Sequence, residues 1–180
     1  MRAKLFVLLF ALITFTAILL DQSHPHPDRA IAVDMFNQAG DKVGVIVIQP
    51  VAQNRVLVTA NMRELTTGFH GFHIHETGIC EGDFTSANGH FDLHGHNHGE
   101  HSGDLPPLEA DETGRAFLAV HTSRFHFSDL FDADGSSFIV HAGADNLANI
   151  PERYGGADAT TLVNGDAGAR VACGVIAEPQ

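Results

Sequence analysis

The chain has 180 residues, enough for one domain of ordinary size with a real hydrophobic core. Its formal net charge is −12, and −14 once the segment carrying Arg2 and Lys4 is set aside. So acidic a chain argues against nucleic acid or an anionic membrane surface as its partner.

The chain opens on Met1-Arg-Ala-Lys4, followed by an uncharged, mostly apolar run over residues 5–20. A basic start before an apolar run reads as a secretory signal. No small-x-small cleavage pattern stands just before Asp21, so residues 1–20 read as a signal peptide or an amino-terminal membrane anchor. A buried core helix is the weaker alternative, because a run apolar on every side needs burial all round. Residues 21–30, DQSHPHPDRA, are polar and broken by proline, which marks a linker. Its His24 and His26 read as part of a solvated tail rather than a metal site. Residues 31–180 then form one exported domain, placed in the periplasm, at the cell surface or outside the cell. In an oxidising compartment Cys80 and Cys173 read as one disulfide, the alternative being two buried thiols.

From residue 31 the pattern is β. Strands are expected at 31–33 (IAV), 42–48 (KVGVIVI) and 55–61 (RVLVTAN), with a turn at 37–40 (NQAG). Further strands are expected at 71–75 (GFHIH), 114–120 (GRAFLAV), 137–141 (SFIVH) and 170–176 (RVACGVI). No window after Leu20 sustains a helical period, and short strands between turn signals suggest a sandwich or barrel. Two connections, 76–108 and 142–169, are too long for turns, and such loops in a compact domain usually carry function.

Alternate residues of a strand share a face, so His73 and His75 point one way and His70 the other. Two imidazoles on one rigid face are half a metal site, although buried, hydrogen-bonded histidines would look the same. The stretch 88–104 adds His90, His94, His96, His98 and His101 and ends in Asp104. A loosely metal-binding, histidine-rich tract is the alternative. Three imidazoles and one carboxylate suit zinc in a closed four-coordinate site. An imidazole-rich site with an open position suits copper.

Five segments, in order, carry a resemblance to the secreted, bacterial type of copper,zinc superoxide dismutase. They are GFHGFHIHE (68–76), ANGHFD (87–92), HSGDLPPL (101–108), FIVHAGADN (138–146) and GDAGARVACGVI (165–176). The resemblance covers about residues 31–177. It implies an all-β, Greek-key β-sandwich or barrel of immunoglobulin-like kind with two long functional loops. It implies copper on His73, His75, His90 and His141, and zinc on His90, His98, His101 and Asp104, with His90 serving both. Asp145 would link ligands of the two metals, and His70 would be a buried structural histidine. Cys80 and Cys173 would be the family's disulfide, and Arg170 the cation that receives the anion. The catalytic residues would be Arg170 and His90. The implied activity is conversion of superoxide to dioxygen and hydrogen peroxide by alternate reduction and oxidation of copper. Anchoring through residues 5–20 and a homodimer are the further associations this reading allows.

The sequence departs from the family pattern in two places. Only two residues separate His98 from His101, where many members carry an insertion, and this leaves His94 and His96 as rival zinc ligands. Cations near the expected channel are scarce: after Asp145 there are Arg153 and Arg170. A surface ion pair with Asp166 is the plain alternative for Arg170. Two other functions compete. An exported copper-binding or copper-buffering protein on the same fold would not require Arg170 or Asp145. A cupin-type oxygenase, suggested by Gly68, His73, His75 and Glu81, leaves HSGD and the cysteine pair unexplained.

Overall fold

The computed structural model describes residues 29–52 and 54–178. The expected signal or anchor at 1–20 lies outside the described residues, as do His24, His26 and all but the last two residues of the 21–30 linker. Among the described residues, no helix is long and apolar enough to cross a membrane.

The described residues form nine strands: β1 Ile31–Phe36, β2 Lys42–Val51, β3 Arg55–Met62, β4 Gly68–His70, β5 Phe72–His75, β6 Leu108–Ala110, β7 Ala116–Thr122, β8 Ser136–His141 and β9 Arg170–Ile176. They form one antiparallel sheet in the order β4-β6-β7-β3-β2-β1-β9-β8-β5. The two ends of that order, β4 and β5, are separated in the chain by Gly71 alone. The sheet therefore curls until its ends meet, giving a nearly closed barrel with crossovers from β3 to β7 and from β1 to β9. Two short strands, β4 and β6, lie outside the expected set. Three residues each is too short for a period-2 signal to emerge. A one-turn helix, α1 Thr161–Asn164, occupies the second long connection.

Alternation builds the core. In β3, Val56, Val58, Ala60 and Met62 are buried. Ile46 and Ile48 of β2 and Val33 and Met35 of β1 join them. Phe72 and Ile74 of β5 face the same interior, where Phe72 stacks on Phe138 with ring centres 5.6 Å apart.

Strands β5 and β8 differ from the rest because every residue in both is buried. One face of each fills the barrel and the long connections cover the other. Under that cover, Ile139 of β8 packs with Phe84, Ala87 and Cys173 in a second apolar cluster. Loop 76–107 also pairs with β5 through its backbone. Phe91 N–H donates to the Ile74 carbonyl (2.9 Å) and Ile74 N–H to the Gly103 carbonyl (2.9 Å). The histidines of β5 are thus enclosed by chain that is far away in sequence.

Candidate metal centre

Strand β5 delivers His73 and His75 to its loop-covered face, as alternation requires. Opposite them, β8 ends in His141. The loop brings His90 beside His75 and Asp104 beside His73, each in a single antiparallel backbone bridge. Two groups of donors result: His73, His75, His90 and His141; and His73, His90, His98 and Asp104. Both are wholly buried; His73 and His90 belong to both, and the expected zinc ligand His101 belongs to neither, standing beside the second group instead.

The hydrogen bonds show how each ring is held. His75 donates from Nδ1 to the Asn88 carbonyl (2.9 Å), and His141 from Nδ1 to the Gly168 carbonyl (3.0 Å). His73 donates from Nε2 to Asp145 Oδ2 (2.6 Å). The remaining nitrogens, His73 Nδ1, His75 Nε2 and His141 Nε2, are buried with no partner among the described residues. Buried polar atoms are rarely left so. Three unpartnered ring nitrogens in one cluster are what lone pairs awaiting a metal look like.

Burial favours the neutral form of these rings. It pushes His73 down to about 3 despite the opposing pull of Asp145, and His141 down to about 4. His75 is driven well below the ordinary value, by burial first and then by His90. Neutral imidazole is the metal-binding form.

The second group is more polar. His90 Nδ1 lies 2.9 Å from Asp104 Oδ1 and 3.2 Å from His98 Nδ1, and His98 Nδ1 lies 3.3 Å from Asp104 Oδ1. His101 Nδ1 is buried, has no hydrogen-bond partner among the described residues and lies 3.4 Å from Asp104 Oδ2. Ligand atoms held at about 2.0–2.1 Å in a tetrahedron are roughly 3.3 Å apart, so these spacings suit a zinc-sized centre. Burial pulls His98 down, but Asp104 and Asp145 outweigh it and raise this ring to about 9. Burial opposes ionisation of Asp104, yet His101, His90 and His98 hold it below the usual carboxylate range. Its Oδ2 also accepts from the N–H groups of Gly99 (2.7 Å) and His101 (3.0 Å).

Asp145 ties His73, common to both groups, to His98 of the second: Oδ2 receives His73 Nε2–H, and Oδ1 receives His98 Nε2–H at 2.8 Å. Gly165, at φ 63°, closes over this contact. A Cβ there would run into both Asp145 Oδ1 and His98 Nε2. His70 lies outside both groups, its ring between the carbonyls of His141 (2.7 Å) and Thr66 (2.7 Å). His94 and His96 are exposed and also belong to neither group.

Arg170 reaches the site through a bulge. Val140 pairs with Ala172 but His141 with Arg170, so β9 holds one extra residue, Val171. A bulge of this kind re-aims the next side chain. Arg170 extends over the loop-covered face and donates to the carbonyls of Phe84 (2.5 Å) and Asn88 (2.6 Å). Asn88 O is also the acceptor for His75. Asp166, the alternative partner, instead accepts from Asn146 and Thr161. A disulfide joins Cys80 to Cys173 across 93 positions and ties this loop to β9.

Sequence reasoning missed Arg124. Its guanidinium donates to the carbonyls of His101 (2.9 Å) and Gly99 (3.0 Å), stapling the turn that holds Asp104. Nothing local in the sequence marks it, because its partners lie more than twenty residues away and are backbone atoms.

Residues 42–176 match the family model described as copper/zinc superoxide dismutase. The chain is 46% identical over 138 residues to a superoxide dismutase [Cu-Zn] of Mycobacterium tuberculosis, covering 67% of this chain and 58% of that one. It therefore spans somewhat under two thirds of that relative's length. It is 36% identical over 180 residues to a superoxide dismutase [Cu-Zn] of Photobacterium leiognathi, covering 90% and 95%. Among solved structures it resembles a SOD-like protein from Bacillus subtilis, with a TM-score of 0.68 and 32% identity over 81% of this chain and 97% of the other.

Proposed function

The chain belongs to the copper/zinc superoxide dismutase family, and from that premise we propose that it converts superoxide to dioxygen and hydrogen peroxide at the buried two-part centre. The observation that carries the reading is the set of orphaned ring nitrogens, His73 Nδ1, His75 Nε2 and His141 Nε2, each on a ring whose other nitrogen is fixed by an acceptor.

Copper would sit on His73, His75, His90 and His141, an all-imidazole set. Zinc would sit on His90, His98, His101 and Asp104, where a carboxylate joins three imidazoles. Bound copper supplies a one-electron couple, and bound zinc a fixed charge without redox change.

The protein's own residues do the rest. The carbonyls of Asn88 and Gly168 fix the tautomers of His75 and His141, so Nε2 carries the lone pair that faces inward. Asp145 does the same for His73 and His98 and couples the orientation of the two sets. His90 presents Nδ1 to the Asp104 side. Its Nε2 is then the atom that takes up a proton in one half of the cycle and gives it to the product in the other. Arg170 holds a planar guanidinium at the rim, fixed by two carbonyls, and offers its remaining donors to a small anion. The chain as a whole repels an anion, so attraction must be local, within the Debye length of about 8 Å at physiological salt.

The single disulfide and the reading of residues 1–20 support export to an oxidising compartment. Anchoring through residues 5–20 and a homodimer belong to this proposal, to be tested by membrane fractionation and sedimentation.

The deciding experiment measures metal content and superoxide dismutation on purified protein loaded with copper and zinc. One copper and one zinc per chain, with peroxide-forming activity lost on copper removal, is the expected result. Activity with copper but no stoichiometric zinc would discard His98, His101 and Asp104 as a zinc site. Metal without turnover would favour an exported copper-binding protein on the same fold.

A further inference from the structure

His94 and His96 stand on the same loop as the buried His90 and His98, yet both face solvent. Their rings lie 5.4 Å apart between centres. Two imidazoles sharing one metal through bonds of about 2.0–2.1 Å have ring centres roughly 4.5–6 Å apart, so the ring separation is of chelating size, and side-chain rotation on this exposed loop must bring the donor atoms of His94, His96 and Asp92 together. The Asp92 carboxylate lies beside them, with Oδ1 3.7 Å from His96 Nδ1. It also pins the pair from below, accepting from the backbone N–H groups of His94 (3.3 Å) and His96 (2.6 Å). Among the described residues, no group hydrogen-bonds the ring nitrogens of His94, so its lone pair is free for a ligand.

We propose that His94 and His96, with Asp92, form a second, solvent-exposed binding site for a divalent transition metal, copper(II) first, separate from the buried centre. Two imidazoles and a carboxylate suit copper(II), which such donors bind most tightly among the divalent first-row ions. The remaining coordination positions open to water, so the site holds metal weakly and exchanges it readily.

The test adds copper(II) to full-chain protein whose buried sites are already filled and assayed, in a buffer containing glycine as a weak competitor. Wild type is compared with the double variant His94→Ala/His96→Ala. Wild type should take up one equivalent more than the variant, and its extra copper should show hyperfine coupling to two imidazole nitrogens in electron paramagnetic resonance. His24 and His26 are present in both proteins, so they cancel in the comparison. The comparison also stands apart from how the buried centre is assigned, since buried metal is measured in each protein. Equal uptake by the two proteins would overturn the proposal. So would extra copper on wild type that lacks the two-nitrogen signature, a result that needs no variant at all.

Discussion

Asp145 receives His73, which is common to both donor groups, and His98, which belongs to the second alone, and this makes it the residue that couples the shared ring to the more polar half of the centre. Asparagine in its place has one acceptor oxygen, and its amide would oppose one of the two incoming N–H groups. Asp145→Asn should therefore lower metal affinity by about 10–100-fold, measured by competition with a chelator. Unchanged affinity for both metals would show that His73 and His98 are held by packing alone. Arg170 is a different kind of residue, since it approaches the rim and belongs to neither donor group. Arg170→Ala should keep both metals and lose activity by about tenfold or more, the scale of local electrostatic guidance. A variant with full metal content and near-wild-type turnover would remove the anion-guide role. Arg124 completes this scale: it touches no ligand ring, but it fixes the carbonyls of the turn on which His101 sits.

At the scale of elements, the centre exists because a loop is woven onto the outer side of β5. Gly103 is the tightest point of that weave, where a Cβ would collide with the Ile74 carbonyl. Backbone cannot yield as a flexible side chain can, so Gly103→Ala should cost about 1–3 kcal/mol. It should also weaken zinc before copper, because Asp104 is the next residue. Thermal melting and metal analysis of the variant would check both. Equal loss of the two metals would mean that the loop moves as one body. The bulge at Val171 is the other element-scale device, since without the extra residue Arg170 would follow strand alternation away from the loop. The disulfide closes a loop of 93 positions, worth about 4–5 kcal/mol in the chain-entropy model, and it holds the Phe84–Asn88 carbonyls near Arg170.

At the scale of the whole molecule, the centre couples stability to pH once metal is removed. In the fold, His73 and His141 are held at about 3 and 4, by burial first, against an ordinary value of 6.5. As pH falls below 6.5 the unfolded chain takes up protons that the fold refuses, so stability is lost progressively toward pH 3–4. His98 has the opposite sign. Burial works against its charge, but Asp104 and Asp145 raise it to about 9, so its contribution is full below 6.5 and is lost as pH rises through 9. The metal-free protein should melt at its highest temperature near pH 6.5 and lower on both sides. A series of melts from pH 4 to 9.5 after chelation would show it, and a flat profile would contradict the balance of these groups. Zinc binding must displace the His98 proton, so loading should release protons and grow weaker in acid.

Residue order alone made legible the strands long enough to alternate, the donor-bearing segments and their succession. It also determined the shared face of His73 and His75. These are local properties: period two on a strand, glycine-flanked histidines in a long connection, and a pair of cysteines. Strands β4 and β6 were illegible because three residues cannot display a period. Tertiary structure decided which of the five loop histidines turn inward. His90, His98 and His101 are buried while His94 and His96 face water, although all five sit in similar glycine-rich surroundings. It also decided that Asp145 holds two rings, that Arg170 is aimed by a bulge, and that Arg124 braces the Asp104 turn. Each of these depends on backbone atoms brought together from distant parts of the chain, and residue types in sequence do not carry that information.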